Sequence, residues 1–143
     1  VVAFSLSPEP IAEKIEHKAP PLERRLDAIS KLQNQGWSIG LRFDPIIFQS
    51  NYQGHYRQFF DQVFARIDLD RLHSVSLGAF RLPEHYFKKA QKLYPDEKLF
   101  AGPLQSSQGM VGYERALEED IMRFCSGLLS DYISEKHFFP CTP

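Results

Sequence analysis

Arg42 and Asp44 stand two residues apart near the end of an otherwise apolar run, Gly36-Trp37-Ser38-Ile39-Gly40-Leu41-Arg42-Phe43-Asp44-Pro45-Ile46-Ile47. In a strand, residues two apart share a face, so a guanidinium and a carboxylate would be presented together. Opposite charges at the carboxyl end of a buried strand are the groups that an α/β protein offers a ligand at that edge. They also suit a structural ion pair at a strand terminus, and the run alone leaves both readings open. Two other runs leave their apolar bodies through polar residues. Val1-Val2-Ala3-Phe4-Ser5-Leu6-Ser7 ends on Ser5 and Ser7, and Leu72-His73-Ser74-Val75-Ser76-Leu77-Gly78 is followed by Arg81.

These three runs begin near residues 1, 37 and 72, a spacing of about 35 that suits repeated β-α units. Right-handed crossovers would make the strands parallel and bring Ser5, Ser7, Arg42, Asp44, Ser76 and Arg81 to one side of the sheet. The segments between them read as helices. Ser7-Pro8 fits an N-cap and first helical position, opening a short helix with Ile11 and Ile15 that ends at Ala19-Pro20-Pro21. Leu22 to Gln35 carries Leu22, Leu26, Ile29 and Leu32 at helical spacing, with Gly36 placed to terminate it. Pro45 is expected to stop pairing of the central strand, and residues 48–54 read as a loop. His55 to Ile67 shows an aromatic stripe of Tyr56, Phe59, Phe60 and Phe64, read as a packing face. Glu84 to Tyr94 forms a helix, the stretch 99–113 a hairpin or long loop around Ser-Ser-Gln-Gly, and Glu114 to Tyr132 a last helix. The apolar tail His137-Phe138-Phe139-Pro140-Cys141 fits a final strand or a covering segment.

Bulk properties narrow the function classes. The 143 residues make about one domain, 43% hydrophobic and 24% charged, as in ordinary globular proteins. A formal net charge of -1 supplies no global field for nucleic-acid binding, although a local basic groove stays compatible with it. Cys125 and Cys141 are too few for a disulfide framework or a tetrahedral cysteine site. No apolar run nears the roughly 18 residues of a membrane span, and a cytoplasmic protein with no membrane partner is expected. The chain opens inside a β-prone run without an initiator methionine, which predicts a piece of a longer protein. Three parallel strands cannot close a barrel, so a partner half is expected. No Gly-x-Ser-x-Gly elbow accompanies His55, His73 or His85, which sets a small hydrolase aside.

Four blocks carry a more specific signal: Val2-Ala3-Phe4-Ser5-Leu6-Ser7-Pro8, Pro21-Leu22-Glu23-Arg24-Arg25-Leu26, Gly40-Leu41-Arg42-Phe43-Asp44-Pro45-Ile46-Ile47 and Val75-Ser76-Leu77-Gly78-Ala79-Phe80-Arg81. In order and spacing they resemble the spore photoproduct lyase family, DNA repair enzymes of the radical S-adenosylmethionine superfamily. The resemblance implies an α/β fold, the C-terminal half of a partial (β/α)6 TIM-like barrel. Residues 1–98 would supply the β/α units, 99–113 a hairpin, and 114–143 a C-terminal helix and tail. It also implies S-adenosylmethionine and a 4Fe-4S cluster in the full-length protein. The cluster would be held by a Cys-x3-Cys-x2-Cys motif in the N-terminal half, so no metal ligand is expected here. The chemistry implied is an adenosyl radical that reverses a thymine-dimer lesion.

Carried over position by position, Ser5, Ser7, Arg42 and Asp44 are implied as cofactor-binding residues. Arg81 and Tyr113 are implied as DNA-binding residues, Arg81 clamping a phosphate and Tyr113 stacking on a base. The bland alternative for Arg81 is a pair with Glu84. The hairpin departs from the family: where an arginine and a lysine are expected, this chain has Gln108-Gly109-Met110-Val111-Gly112-Tyr113. That departure leaves room for a different lesion or substrate, or for a non-catalytic binding or structural module with the same fold. The partners implied are the N-terminal half of the barrel and damaged DNA.

Overall fold

The computed structural model describes residues 1–8, 21–48, 51–93, 95 and 104–140; the expected helix with Ile11 and Ile15, Tyr94 at the end of the expected helix 84–94, and the first residues of the hairpin lie outside these. In chain order the elements are β1 (Val2–Ser5), α1 (Leu22–Asn34), β2 (Ile39–Ile46), α2 (Tyr52–Arg66), β3 (Leu72–Ala79), β4 (Arg81–Pro83), α3 (Glu84–Leu93), β5 (Leu104–Ser107), β6 (Met110–Tyr113), α4 (Arg115–Leu129) and β7 (Phe138–Pro140). The protein is α/β, with a four-stranded parallel sheet ordered β1-β2-β3-β7 and a three-stranded antiparallel sheet ordered β4-β6-β5.

Hydrophobic periodicity explains the parallel sheet. Val2 and Phe4, Ile39, Leu41 and Phe43, Val75 and Leu77, and Phe138 alternate with polar or small residues and register across the strands on one face. That face packs on Leu22, Leu26 and Ile29 of α1, the aromatic stripe of α2, and Ile121, Cys125 and Leu129 of α4. Phe43 sits at the centre, fully buried, with its ring 5.0–5.5 Å from those of Phe60 and Phe59 in edge contacts. The stripe on α2 is therefore a packing face. Helix α1 ends as its sequence predicts. Gly36 adopts φ +93°, and the amides of Gly36 and Trp37 donate to the carbonyls of Gln33 and Leu32 in a Schellman termination. Buried Gln33 then ties α1 to the approach to β3, donating to the Asp68 carbonyl at 3.0 Å and accepting from the Asp68 amide at 2.9 Å.

Two boundaries differ from expectation. Pro45 does not stop the strand: Ile46 rejoins β3 opposite Ala79 after a register shift, and the Phe80 amide donates to the Ile46 carbonyl at 3.1 Å. A bulge lets the sheet pass a residue that has no N–H to give. Helix α2 starts at Tyr52, so part of the expected loop is helical. The tail, in turn, becomes a strand, with Phe138 opposite Val75 at the edge of the main sheet.

The exit of β2 is held by two phenols. The Ile47 amide donates to the Tyr56 hydroxyl of α2 at 2.9 Å, and the Phe48 amide to the Tyr113 hydroxyl of β6 at 2.8 Å. Burial raises the pKa of Tyr56 strongly and pushes that of Tyr113 up to about 12 from an ordinary 10.0. Both groups hold a proton in the folded chain that an unfolded chain releases nearer pH 10, so folding stability is full below that pH and falls as pH rises toward 12. Denaturant midpoints of the full-length protein should stay level through neutral pH and drop on that alkaline limb. Tyr113→Phe should cost about 1–3 kcal/mol at neutral pH, by leaving the Phe48 amide unpaired, and should shrink the alkaline drop. An unchanged alkaline limb in Tyr113→Phe contradicts the linkage.

Candidate functional site

The second face of the parallel sheet carries Ala3 and Ser5 from β1, Gly40, Arg42 and Asp44 from β2, Ser74, Ser76 and Gly78 from β3, and Phe139 from β7. Ala3, Ser5, Arg42, Asp44 and Phe139 are exposed, and Ser74 and Ser76 are half-buried. Parallel sheets are ordinarily covered on both faces. Here one face is apolar and covered, while the other is largely polar or small-residue and uncovered by any described helix.

The register gathers the expected residues. Ser5 lies opposite Arg42, and Arg42 opposite Ser76, so a hydroxyl flanks the guanidinium on each side along the sheet. Asp44 follows on the same face, and its carboxylate lies across Gly78. A Cβ at Gly78 would stand 2.9 Å from the Asp44 carboxyl carbon, and one at Gly40 would stand 3.1 Å from the Ser74 hydroxyl. Gly78 is thus the floor on which the carboxylate rests. Arg42 and Asp44 form no ion pair with each other or with another described residue, so the structural pair is not made among the described residues. Arg25 of α1 donates to the Ser5 carbonyl at 2.7 Å and fixes the end of β1. Ser7 is 8% exposed just past β1 and has little surface for a ligand. Gly78, Gly40 and Ser74 were not singled out as site residues. The signal was present in Val75-Ser76-Leu77-Gly78, where small or polar residues alternate with aliphatic ones.

A second polar feature lies beside the hairpin. Gln108 and Gly109 both have positive φ, 52° and 79°, and make the two-residue turn that joins β5 to β6. Arg81, Gln105 and Gly112 are in register on one face of this small sheet. That face looks into a cavity of ≈ 420 Å³ closed by Arg115 and Glu118 of α4. Arg81 pairs with Glu118 at 3.1 Å, while Glu84, the partner expected from sequence, instead faces Lys88 at 3.8 Å. Register explains the exchange, because Arg81 points across the hairpin sheet toward α4 and not along the chain into α3.

The expected base-stacking role of Tyr113 meets a different arrangement. The ring is 5% exposed, set 6.2–6.3 Å from those of Phe80 and Phe48, and its hydroxyl is engaged by the Phe48 amide. It closes the junction between the hairpin and the main sheet and has no open ring face for a base. Arg81 and Arg115 line the cavity beside the hairpin, Arg81 paired with Glu118 and Arg115 with Glu119, each at 3.1 Å.

Residues 1–106 match the spore photoproduct lyase family model. The chain is 28% identical over 101 residues to spore photoproduct lyase of Bacillus subtilis (strain 168), an alignment covering 67% of this chain and 29% of that protein. It superposes with a TM-score of 0.82 on the solved structure of a cysteine-to-alanine variant of spore photoproduct lyase, at 15% identity over 97% of this chain and 44% of that one. A double variant with bound AdoMet and dinucleoside spore photoproduct gives 0.81 at 16% identity, over 95% of this chain and 42% of that one. The chain therefore spans less than half the length of the proteins it matches.

No group of three His, Cys, Asp or Glu able to hold a metal occurs among the described residues. Cys125 lies on the buried face of α4, and burial pushes its thiol up to about 12, so it presents neither a thiolate nor a surface. Iodoacetamide at pH ~8 should leave Cys125 of the folded full-length protein unlabelled and label it in denaturant. Peptide mass mapping resolves it from Cys141, and labelling of Cys125 in the folded state would contradict its placement.

Proposed function

The chain belongs to the spore photoproduct lyase family, and we propose that it is the C-terminal part of a radical S-adenosylmethionine barrel that repairs a thymine-dimer lesion in DNA. The observation that carries this reading is the uncovered sheet face. A half-barrel must leave its inner wall open, and the inner wall here bears Ser5, Arg42 and Ser76 in register, with Asp44 two residues beyond Arg42. The N-terminal half of the same protein is the partner that would pair with the free edge of β1 and cover that face.

The residues on the face fit S-adenosylmethionine. Arg42, free of any described carboxylate, suits the amino-acid carboxylate through two parallel hydrogen bonds. Asp44 is acceptor-only and suits ribose hydroxyls or the ammonium group. Ser5 and Ser76 add hydroxyls on either side of Arg42, and Gly78 and Gly40 leave room for the Asp44 carboxylate and the Ser74 hydroxyl to lie close over the sheet. Ser7, nearly buried, offers the cofactor little surface. When bound and reduced by a 4Fe-4S cluster held elsewhere in the full-length protein, the cofactor supplies hydrogen abstraction from the lesion. The described residues provide no ligand set for that cluster.

The hairpin cavity supports contact with the nucleic acid. Arg81 and Arg115 present guanidinium groups beside the turn, and Arg81 can exchange its contact with Glu118, whose side chain is 26% exposed, for a phosphate. The uncharged tip, Gln108-Gly109-Met110, favours a second reading in which a related radical enzyme acts on a different lesion.

The test is anaerobic reconstitution of the full-length protein, with 5′-deoxyadenosine and thymidine monitored on dinucleoside spore photoproduct. Both products are expected. 5′-Deoxyadenosine without lesion repair moves the protein to the second reading, and neither product from a cluster-loaded preparation overturns the proposal. Asp44→Ala should weaken S-adenosylmethionine binding about 10-fold or more, the loss of one charge-assisted hydrogen bond. Gly78→Ala should do the same through Asp44. The double variant should then be no weaker than Asp44→Ala alone, because the second change acts only through the first; additive losses argue against that coupling.

A further inference from the structure

Helix α3 carries a charge pattern that the sheet face and the cavity do not use. Its sequence is Glu84-His85-Tyr86-Phe87-Lys88-Lys89-Ala90-Gln91-Lys92-Leu93, and none of its residues is buried. Lys88, Lys89 and Lys92 are exposed, as are His85 and Tyr86. Glu84 is the helix's single acid, and it reaches Lys88 only at 3.8 Å. Lys89 and Lys92 have no carboxylate partner among the described residues. Lys88 and Lys92 are four apart on one helix face, a like-charge spacing that costs an isolated helix a few tenths of a kcal/mol. The last-turn position of Lys92 is favoured by the helix dipole; that of Lys88 and Lys89 is not. Beside the lysines, the Tyr86 ring is 53% exposed with the His85 ring 4.1 Å from it. The rest of the chain is net acidic, since the whole carries -1 with these three lysines included.

Position gives the pattern a use. The hairpin sheet has two faces, set by register. Arg81, Gln105 and Gly112 lie on the face with the arginine-lined cavity, and Leu82, Ser106 and Val111 on the other. Leu104, Ser106 and Val111 line a groove with Glu84, Phe87 and Lys88 of α3. Cations therefore stand on both sides of one hairpin, arginines on one and Lys88 on the other, with Lys92 one turn along the same helix face. A two-stranded polyanion engaged at that hairpin has one backbone near each set.

We propose that α3 is a docking surface for the phosphate backbone of duplex DNA, with Lys88, Lys89 and Lys92 making sequence-independent contacts outside the lesion site. The inference rests on the nucleic-acid reading of the function, and its experiment separates the two. Fluorescence anisotropy would follow a lesion-free duplex of ~25 base pairs on the full-length protein and on the triple variant Lys88→Gln, Lys89→Gln, Lys92→Gln, across a salt series. Each phosphate contact contributes about 0.9 to the slope of log K against log salt, so the triple variant should lose about 2–3 units of slope and bind roughly 10-fold or more weaker at low salt. Binding of dinucleoside spore photoproduct, which carries no flanking duplex backbone for α3 to hold, should be unchanged, and so should the thermal melt. Equal duplex affinity and slope in the two proteins overturn the proposal, as does a full-length protein that binds no duplex. Loss of binding to anionic phospholipid vesicles with duplex binding intact also overturns it, and assigns the lysines to a membrane surface. If the duplex result is as expected while the dinucleoside is neither bound nor repaired, α3 stands as a DNA surface and the lesion assignment falls.

Discussion

Two hydrogen bonds at the exit of β2 hold the structure in register with its site. The Ile47 and Phe48 amides are consecutive backbone donors leaving a sheet, and a buried donor without a partner costs about 1–3 kcal/mol. Tyr56 and Tyr113 satisfy them from two different elements, a helix behind the sheet and a strand of the hairpin. Each phenol must be buried to do this, which is why both are driven to stay protonated. The result is a joint at which α2, the hairpin sheet and the end of β2 share one geometry. Asp44 lies three residues before the first of these amides, so the position of its carboxylate on Gly78 depends on the same joint.

The parallel sheet separates stability from function by face. Phe43 and its aromatic neighbours supply the packing on one side, while Arg42 and Asp44 alternate with Leu41 and Phe43 and so emerge on the other. Period-2 alternation fixes this without further information: slipping β2 by one residue would bury two charges and expose Phe43. A charge buried without a partner is expensive enough to make that register inaccessible. The register is thus specified by the core, and the open face takes whatever residues remain. Its contents, two opposite charges in no ion pair with each other, serine hydroxyls and glycines, are not what a solvent-facing surface needs for stability.

Much of this was legible in the sequence because it rests on local patterns. The strand positions, the stop at Gly36 and the packing role of the α2 stripe all follow from periodicity and capping chemistry. What escaped depends on contacts between elements distant in the chain. The partner of Arg81 is Glu118, 37 residues away, because antiparallel pairing of β4 with β6 brings α4 to that face. A near-neighbour reading could see only Glu84. Tyr113 looked like an available aromatic until Phe48 and Phe80, from different parts of the chain, closed around it. Pro45 looked like the end of a strand because local rules forbid it to donate, while the bulge that carries the sheet past it is settled by β3.

The hairpin shows how the same contacts redistribute charge. Read along the chain, it is neutral from Gln105 to Tyr113 and unfit for a polyanion. In three dimensions it stands between Arg81 and Arg115 on one face and Lys88 of α3 on the other. Electrostatic attraction acts over roughly a Debye length, about 8–10 Å at ordinary salt, so what matters to a nucleic acid is the charge around the hairpin and not the charge within it. A neutral tip with flanking cations has a physical advantage over a charged tip. Apolar and amide groups at the turn can enter a stack of bases without losing the hydration of an ion, whose removal from water is costly, while the flanking cations remain at the solvated backbone. The sign of the net charge, -1 for the whole chain, carries no information about this division. It averages over a surface whose basic residues sit where the fold, and not the composition, has put them.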